Sequence, residues 1–334
     1  MSRQEEILTE VESLFEKEDY EAAIKILEFE LERDGDNAVL YGELGMAYFA
    51  QEEYSKAKDL FEKSTKTDPE YATTYYYKAV QATLEENPDE ALTLVDKAIE
   101  LEPGNPDFLN YKSMLYTSQA KYVEAVQVLK NAVETITDNP VLYLNLAKLL
   151  SSMGENTQAL GYVEQAINIE PDNHSLWAEK SIIEAHLSKL DQAAEAAKKA
   201  YELFPENRKY ETAYNGLTGL YLCMEEKPSE AIPYFERVVE LEPSSQNYSY
   251  LAKAHMDNEE YDTALDLFNK TLEMDPENPE AALEKANLYK ITKNGKEAIK
   301  AYQEFSKIVK RNNLEHYQTL AASIDHHYPL KKEE

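Results

Sequence analysis

The residues able to do chemistry in this chain are few and poorly placed for it. His326 and His327 follow Asp325, a grouping with metal-ligand character, but adjacent histidines in a charged terminal segment are expected to be solvated. The single cysteine, Cys223, stands in "GLYLCME" on a helical pattern, where a packed thiol is expected rather than a nucleophile. Glutamate pairs abound, yet on solvent faces of helices they need no acid–base role. No phosphate-binding glycine loop, paired-cysteine zinc spacing or nucleophile elbow occurs. Neither catalysis, metal nor cofactor is expected, so function must lie in the surfaces that the chain's elements build.

Composition narrows those elements. Hydrophobic residues make up 43% and charged residues 29%, enough to bury a core, while only nine Gly and thirteen Pro punctuate an abundance of helix formers. An all-α fold follows. The net charge of −30, from 34 basic and 64 acidic side chains, excludes nucleic acid and disfavours anionic membrane surfaces. Residues 1–105 carry 10 basic and 27 acidic groups against 10 and 8 in residues 279–334, so a partner steered by charge is basic and meets the N-terminal third. Surplus Glu that merely keeps helix faces soluble accounts for the same imbalance. One cysteine fits a reducing compartment, "MSRQEEILTEVE" has no apolar stretch of signal-peptide length, and no run of apolar residues is long enough to insert in a membrane. A cytoplasmic location is the expectation.

The chain repeats itself. Pro69, Pro103, Pro171, Pro205, Pro243 and Pro276 are separated by 34, 68, 34, 38 and 33 residues, a period of 34 with one insertion and one deletion. In residues 38–71, Tyr41, Leu44, Gly45 and Tyr48 share one helical face, then Ala57, Lys58, Phe61 and Ser64 continue a second helix closed by Asp68-Pro69. Each unit is a helical hairpin, and nine begin near residues 4, 38, 72, 106, 140, 174, 212, 245 and 279. One second-helix site is alanine throughout: Ala23, Ala57, Ala91, Ala125, Ala159, Ala193, Ala231, Ala264 and Ala298. The facing first-helix site is Val11, Gly45, Ala79, Ser113, Ala147, Ser181, Gly219, Ala252 and Ala286, so close approach of the two backbones is expected there. Between hairpins, lines such as "LEPGNP" end one helix at proline and restart the next, with Asn105, Asn139 and Asn278 as caps and Pro106, Pro140 and Pro279 in first positions.

With these residues in view the chain resembles the tetratricopeptide repeat family, whose signature runs W-x2-L-G-x2-Y, A-x3-F, P. Tyr41-x2-Leu44-Gly45-x2-Tyr48, Ala57-x3-Phe61 and Pro69 match it with Tyr for Trp, and Trp177 stands at that first position in the sixth unit. The resemblance spans residues 4–312 and implies an α-solenoid, a right-handed superhelix of hairpins. Residues 313–325, with Leu314, Tyr317, Ala321 and Ile324 on one stripe, are expected to form a C-terminal capping helix before a polar tail at 326–334. The four residues inserted near 206–211 either lengthen a helix or alter the superhelix locally.

Family members commonly hold a peptide or partner helix against the concave side lined by first helices. Mapped here, that stripe comprises Tyr76, Tyr77 and Val80; Asn110, Tyr111 and Met114; Asn145 and Lys148; then Ala178, Glu179, Ile182 and, further on, Tyr250. Tyr76, Tyr77, Tyr111 and Tyr250 fill no template site of the repeat, so amphipathic rings there suit recognition, and substituting Tyr77 or Tyr111 by Ala is expected to weaken binding without lowering stability. The clamp by which some members grip a chaperone's C-terminal carboxylate requires Lys, Asn and Arg where this chain has Asn110, Met114, Asn145, Ser175 and Glu179. Only Asn145 fits, and Glu179 has the wrong sign, so a chaperone tail is disfavoured. The resemblance thus implies a non-catalytic scaffold or adaptor for a protein or peptide. A structural subunit assembling through its convex face or ends is the alternative, and a peptide-sensing regulator is a third, although a hairpin starting near residue 4 leaves no N-terminal helix-turn-helix.

Overall fold

A computed structural model describes residues 3–327; residues 328–334, which hold Pro329 and most of the expected tail, lie outside the described residues. The regular structure of the described residues is nineteen helices and no strand, packed as consecutive pairs in two compact units divided between Ile169 and Glu170. In the first unit the pairs are α1 (Arg3–Glu16) with α2 (Tyr20–Asp34), α3 (Ala38–Ala50) with α4 (Tyr54–Thr67), and α5 (Ala72–Leu84) with α6 (Pro88–Leu101). The pairs α7 (Pro106–Ser118) with α8 (Tyr122–Thr135) and α9 (Pro140–Ser152) with α10 (Asn156–Ile169) complete it. The second unit pairs α11 (His174–His186) with α12 (Leu190–Leu203), α13 (Arg208–Met224) with α14 (Pro228–Leu241), and α15 (Ser245–Asp257) with α16 (Tyr261–Met274). It ends with α17 (Pro279–Ile291), α18 (Gly295–Arg311) and the single helix α19 (Glu315–His327). The fold is an all-α solenoid of hairpins with a C-terminal capping helix.

Local rules start and stop these helices. Asn37, Asn105, Asn139, Asn173, Asn207, Ser244 and Asn278 each accept, through the side chain, a backbone N–H of the first turn that follows, satisfying a donor the helix itself leaves open. Pro106, Pro140 and Pro279 occupy first positions, where no N–H is missed. Inside each hairpin the turn has a second recurring form. After α3, Glu52 takes φ +63° while Glu53 N–H reaches back to the Tyr48 carbonyl at 2.9 Å and Glu52 N–H to Phe49 at 2.9 Å, which closes the helix end on its own last carbonyls.

Packing follows the repeat. Eight of the nine alanines at the second-helix site are 0% exposed, and Ala298 is 6% exposed. At the facing glycines it is a ring, not the opposite backbone, that fills the space: a Cβ on Gly45 would lie 2.5 Å from Phe61 Cε1, and one on Gly219 2.8 Å from Phe235. Helix α19 lays Ala321 and Ile324, with half-buried Tyr317 and the preceding Leu314, on the Tyr302, Phe305, Ile308 and Val309 cluster, and the Tyr317 ring meets Phe305 edge-on at 5.6 Å. The helix runs to His327, whose Nδ1 lies 2.7 Å from the Ser323 carbonyl, so both histidines belong to its last turn. The four inserted residues lengthen α13, which begins at Arg208 and has 17 residues. Its extra turn is tied to α14: Arg208 donates to the Leu241 carbonyl at 3.0 Å and Arg237 pairs with Glu211 at 2.7 Å.

Candidate binding cleft on the first helices

In the first unit, α5, α7 and α9 line a cleft of about 520 Å³. Its walls include Tyr76, Asn110, Tyr111, Met114, Asn145 and Lys148, six of the residues singled out from sequence, which the fold brings together. Asp107, Thr117, Ser113, Leu129, Leu149 and Ser152 complete it. On α7, Asp107, Asn110, Tyr111, Met114 and Thr117 follow helical spacing, so extending the stripe by one turn at each end would have found Asp107 and Thr117. Leu129 reaches the cleft from α8 at a repeat core position, four residues after Ala125, and no stripe on the first helices signals it.

The aromatic wall is built by packing. Tyr76 sits 5.3 Å from the Phe108 ring and meets Tyr111 edge-on at 5.2 Å, while Tyr111 is only 8% exposed and its hydroxyl lies 2.6 Å from Thr83 Oγ1. Burial pushes both phenols up, with the Asp107 carboxylate adding to the effect on Tyr76, so both remain neutral hydroxyls at physiological pH. Above this wall Met114 is 54% exposed and Lys148 projects to solvent. Between them Asn145 Nδ2 donates to Asn110 Oδ1 at 3.0 Å, joining α9 to α7. Among the described residues Asn110 Nδ2 and Asn145 Oδ1 take no other partner, so the pair keeps a donor group and an acceptor group open. The hydroxyls of Ser113, Thr117 and Ser152 are spent on the carbonyls of Ala125, Ser113 and Leu149.

Six sequence candidates lie elsewhere, among them half-buried Ala178 and exposed Ile182 on α11. Tyr77, one residue from Tyr76, turns toward the preceding hairpin, packing 5.9 Å from Phe61 and donating to Glu43 Oε1 at 2.8 Å. Burial and then Glu43 hold its phenol neutral, while burial and Glu12, opposed by the Tyr77 bond, raise the carboxyl of Glu43. Val80 packs on the core between α5 and α7, and Tyr250 stacks on Phe235 at 6.0 Å. Glu179 lies half-buried on α11 and does not line the cleft. The expectation that Tyr77 and Tyr111 can be lost without cost to stability is therefore corrected: both are packing residues. Cys223, half-buried beside the Phe235 cluster, has its thiol pushed up by burial and then by Asp257, in keeping with a packed rather than reactive thiol. Among the described residues there is no group of three or more His, Cys, Asp or Glu placed to hold a metal, and no helix long and apolar enough to cross a membrane.

Comparison with known proteins bears on what such a cleft is for. Residues 14–84 and 116–180 match the tetratricopeptide repeat family, and the hairpins and alanine sites described above recur from α1 to α18. The chain belongs to the tetratricopeptide repeat family. Residues 224–305 of this tetratricopeptide repeat protein also match the family of anaphase-promoting complex, cyclosome, subunit 3. Among solved structures, the C-terminal part of a TPR repeat-containing protein from Cytophaga hutchinsonii superposes with a TM-score of 0.58 at 13% identity, covering 73% of this chain and 98% of its own. A tetratricopeptide repeat protein from Parabacteroides merdae gives 0.51 at 14% identity, over 76% and 96%. Pseudomonas aeruginosa PilF gives 0.51 at 22%, over 63% and 94%. These likenesses show the fold. No curated protein sequence matches the chain. Tetratricopeptide repeat folds in general serve as protein–protein interaction scaffolds and are typically non-catalytic.

Proposed function

We propose that the protein is a non-catalytic interaction scaffold that holds an extended segment of a partner protein in the cleft of α5, α7 and α9. One observation carries this reading: an exposed Met114 on an aromatic wall stands beside a carboxamide pair with an unused donor and acceptor. Apolar surface rewards burial of a side chain, and the carboxamides supply a partner for the backbone that comes with it. The residues lining the cleft include no His or Cys, and its Ser and Thr hydroxyls are committed to carbonyls, which supports binding over catalysis. The lone cysteine suits action in the cytoplasm, and the acidic N-terminal third steers a basic partner toward this unit.

Quantitative capture of partners by the full-length chain tests the reading. Met114→Glu and Asn145→Ala should each lose the same partner by about tenfold or more, equivalent to ~1.4 kcal/mol. Undiminished capture by both variants, with an unchanged melting temperature, would rule the cleft out. The second reading is a structural subunit of a larger assembly, favoured by the match of residues 224–305 to subunit 3 of the anaphase-promoting complex. Under that reading the partner survives both cleft substitutions and is lost on changes at exposed apolar residues of the second unit such as Met224, 56% exposed, and Met274, 49% exposed.

A further inference from the structure

We infer that the cleft selects an extended segment with opposite charges on either side of an apolar anchor, a basic side chain against Asp107 and an acidic one against Lys148. This rests on the peptide-binding reading above. The extended form follows from hydrogen bonding. Asn110 and Asn145 offer an open amide NH2 and an open carbonyl, a set that complements an unpaired peptide group. An extended chain presents such groups, whereas a helix has spent its own on itself. Met114, 54% exposed beside the Tyr76 and Tyr111 rings, then accepts the apolar side chain.

The order of charges follows from register. First helices keep corresponding turns level, since Tyr77 bonds Glu43 across 34 residues and Asn145 bonds Asn110 across 35. Asp107 lies one turn before Asn110, and Lys148 one turn after Asn145. The two charges are therefore displaced along the cleft by about six residues of helix, or ~9 Å at ~1.5 Å per residue. That displacement exceeds ion-pair reach and equals roughly three residues of extended chain at ~3.3 Å each. Both side chains are exposed and neither has an ion-pair partner among the described residues. A segment whose two ends bear the complementary charges satisfies both at once, and a segment of reversed order meets like charge at each end.

An array of pentapeptides with blocked termini tests this, with Leu, Met or Phe at the centre and Lys, Glu or Ala at the flanking positions. The full-length protein is expected to retain oppositely charged peptides of one order about tenfold over the reversed order and over neutral peptides. The double substitution Asp107→Lys with Lys148→Asp alters exposed positions only and should reverse the order preferred. Retention without regard to charge order, or an order unchanged in the double variant, overturns the inference and leaves peptide binding standing. Retention of no pentapeptide above the Met114→Glu background overturns both. Retention confined to long helix-forming peptides tested in parallel overturns the extended occupant alone.

Discussion

A methyl group on Gly45 would lie 2.5 Å from Cε1 and 2.7 Å from Cδ1 of Phe61, a ring with no exposed surface and little room to retreat. Gly45→Ala is expected to destabilise the protein by about 1–3 kcal/mol through overpacking. Adding Phe61→Leu should make the alanine less costly than it is alone. Urea midpoints of the two single variants and the double check this, and strictly additive effects would show that the ring is not the obstacle. The small first-helix site was legible from its recurrence, but its occupant was not: sequence suggested backbone against backbone, and the structure puts an aromatic edge there. Neighbouring tyrosines make the same point. A rotation of about 100° per residue sends Tyr76 forward to Tyr111 and the cleft, and Tyr77 back to Glu43 and Phe61. Both lie on the stripe that periodicity marks, so periodicity alone does not separate wall from packing.

The hairpin turn is the element with most to teach. Glu18, Glu52, Glu86, Ala120, Ser188, Glu226, Glu259 and Lys293 all adopt φ between +56° and +63°, and only Gly154 meets the same demand with a residue suited to it. Each L-residue held there carries steric strain that the carbonyl-closing hydrogen bonds outweigh. Glu86→Gly should therefore stabilise the protein by ~1 kcal/mol and Gly154→Ala destabilise it by a similar amount. Chemical denaturation of both variants decides, and a loss of stability for Glu86→Gly would refute the strain account. Sequence placed these turns but not their conformation, because glutamate carries no signal for a left-handed backbone. The long helix α13 is a comparable case. Four extra residues were plain in the spacing, and the anchoring of Arg208 on Leu241 and of Glu211 on Arg237 settles them as an added helical turn.

At the scale of the molecule, each hairpin is stabilised by its neighbours, so the ends need lids. Helix α19 covers the last one. Truncation after Asn312 would expose Tyr302, Phe305, Ile308 and Val309 where Ala321, Ile324 and Tyr317 now rest. Amide exchange in α17 and α18 is expected to accelerate while α3–α10 keep their protection, and unaltered protection of α18 would deny α19 its role as a cap. By itself the sequence determined the 34-residue hairpin, the asparagine and proline joints, the alanine packing site and the closing helix. These are rules acting within one repeat or between adjacent turns, and repetition makes them readable. Only the tertiary structure decided which residues line the cleft. That choice depends on the rotation separating Tyr76 from Tyr77, on Leu129 arriving from a second helix, and on one asparagine bonding another 35 residues away.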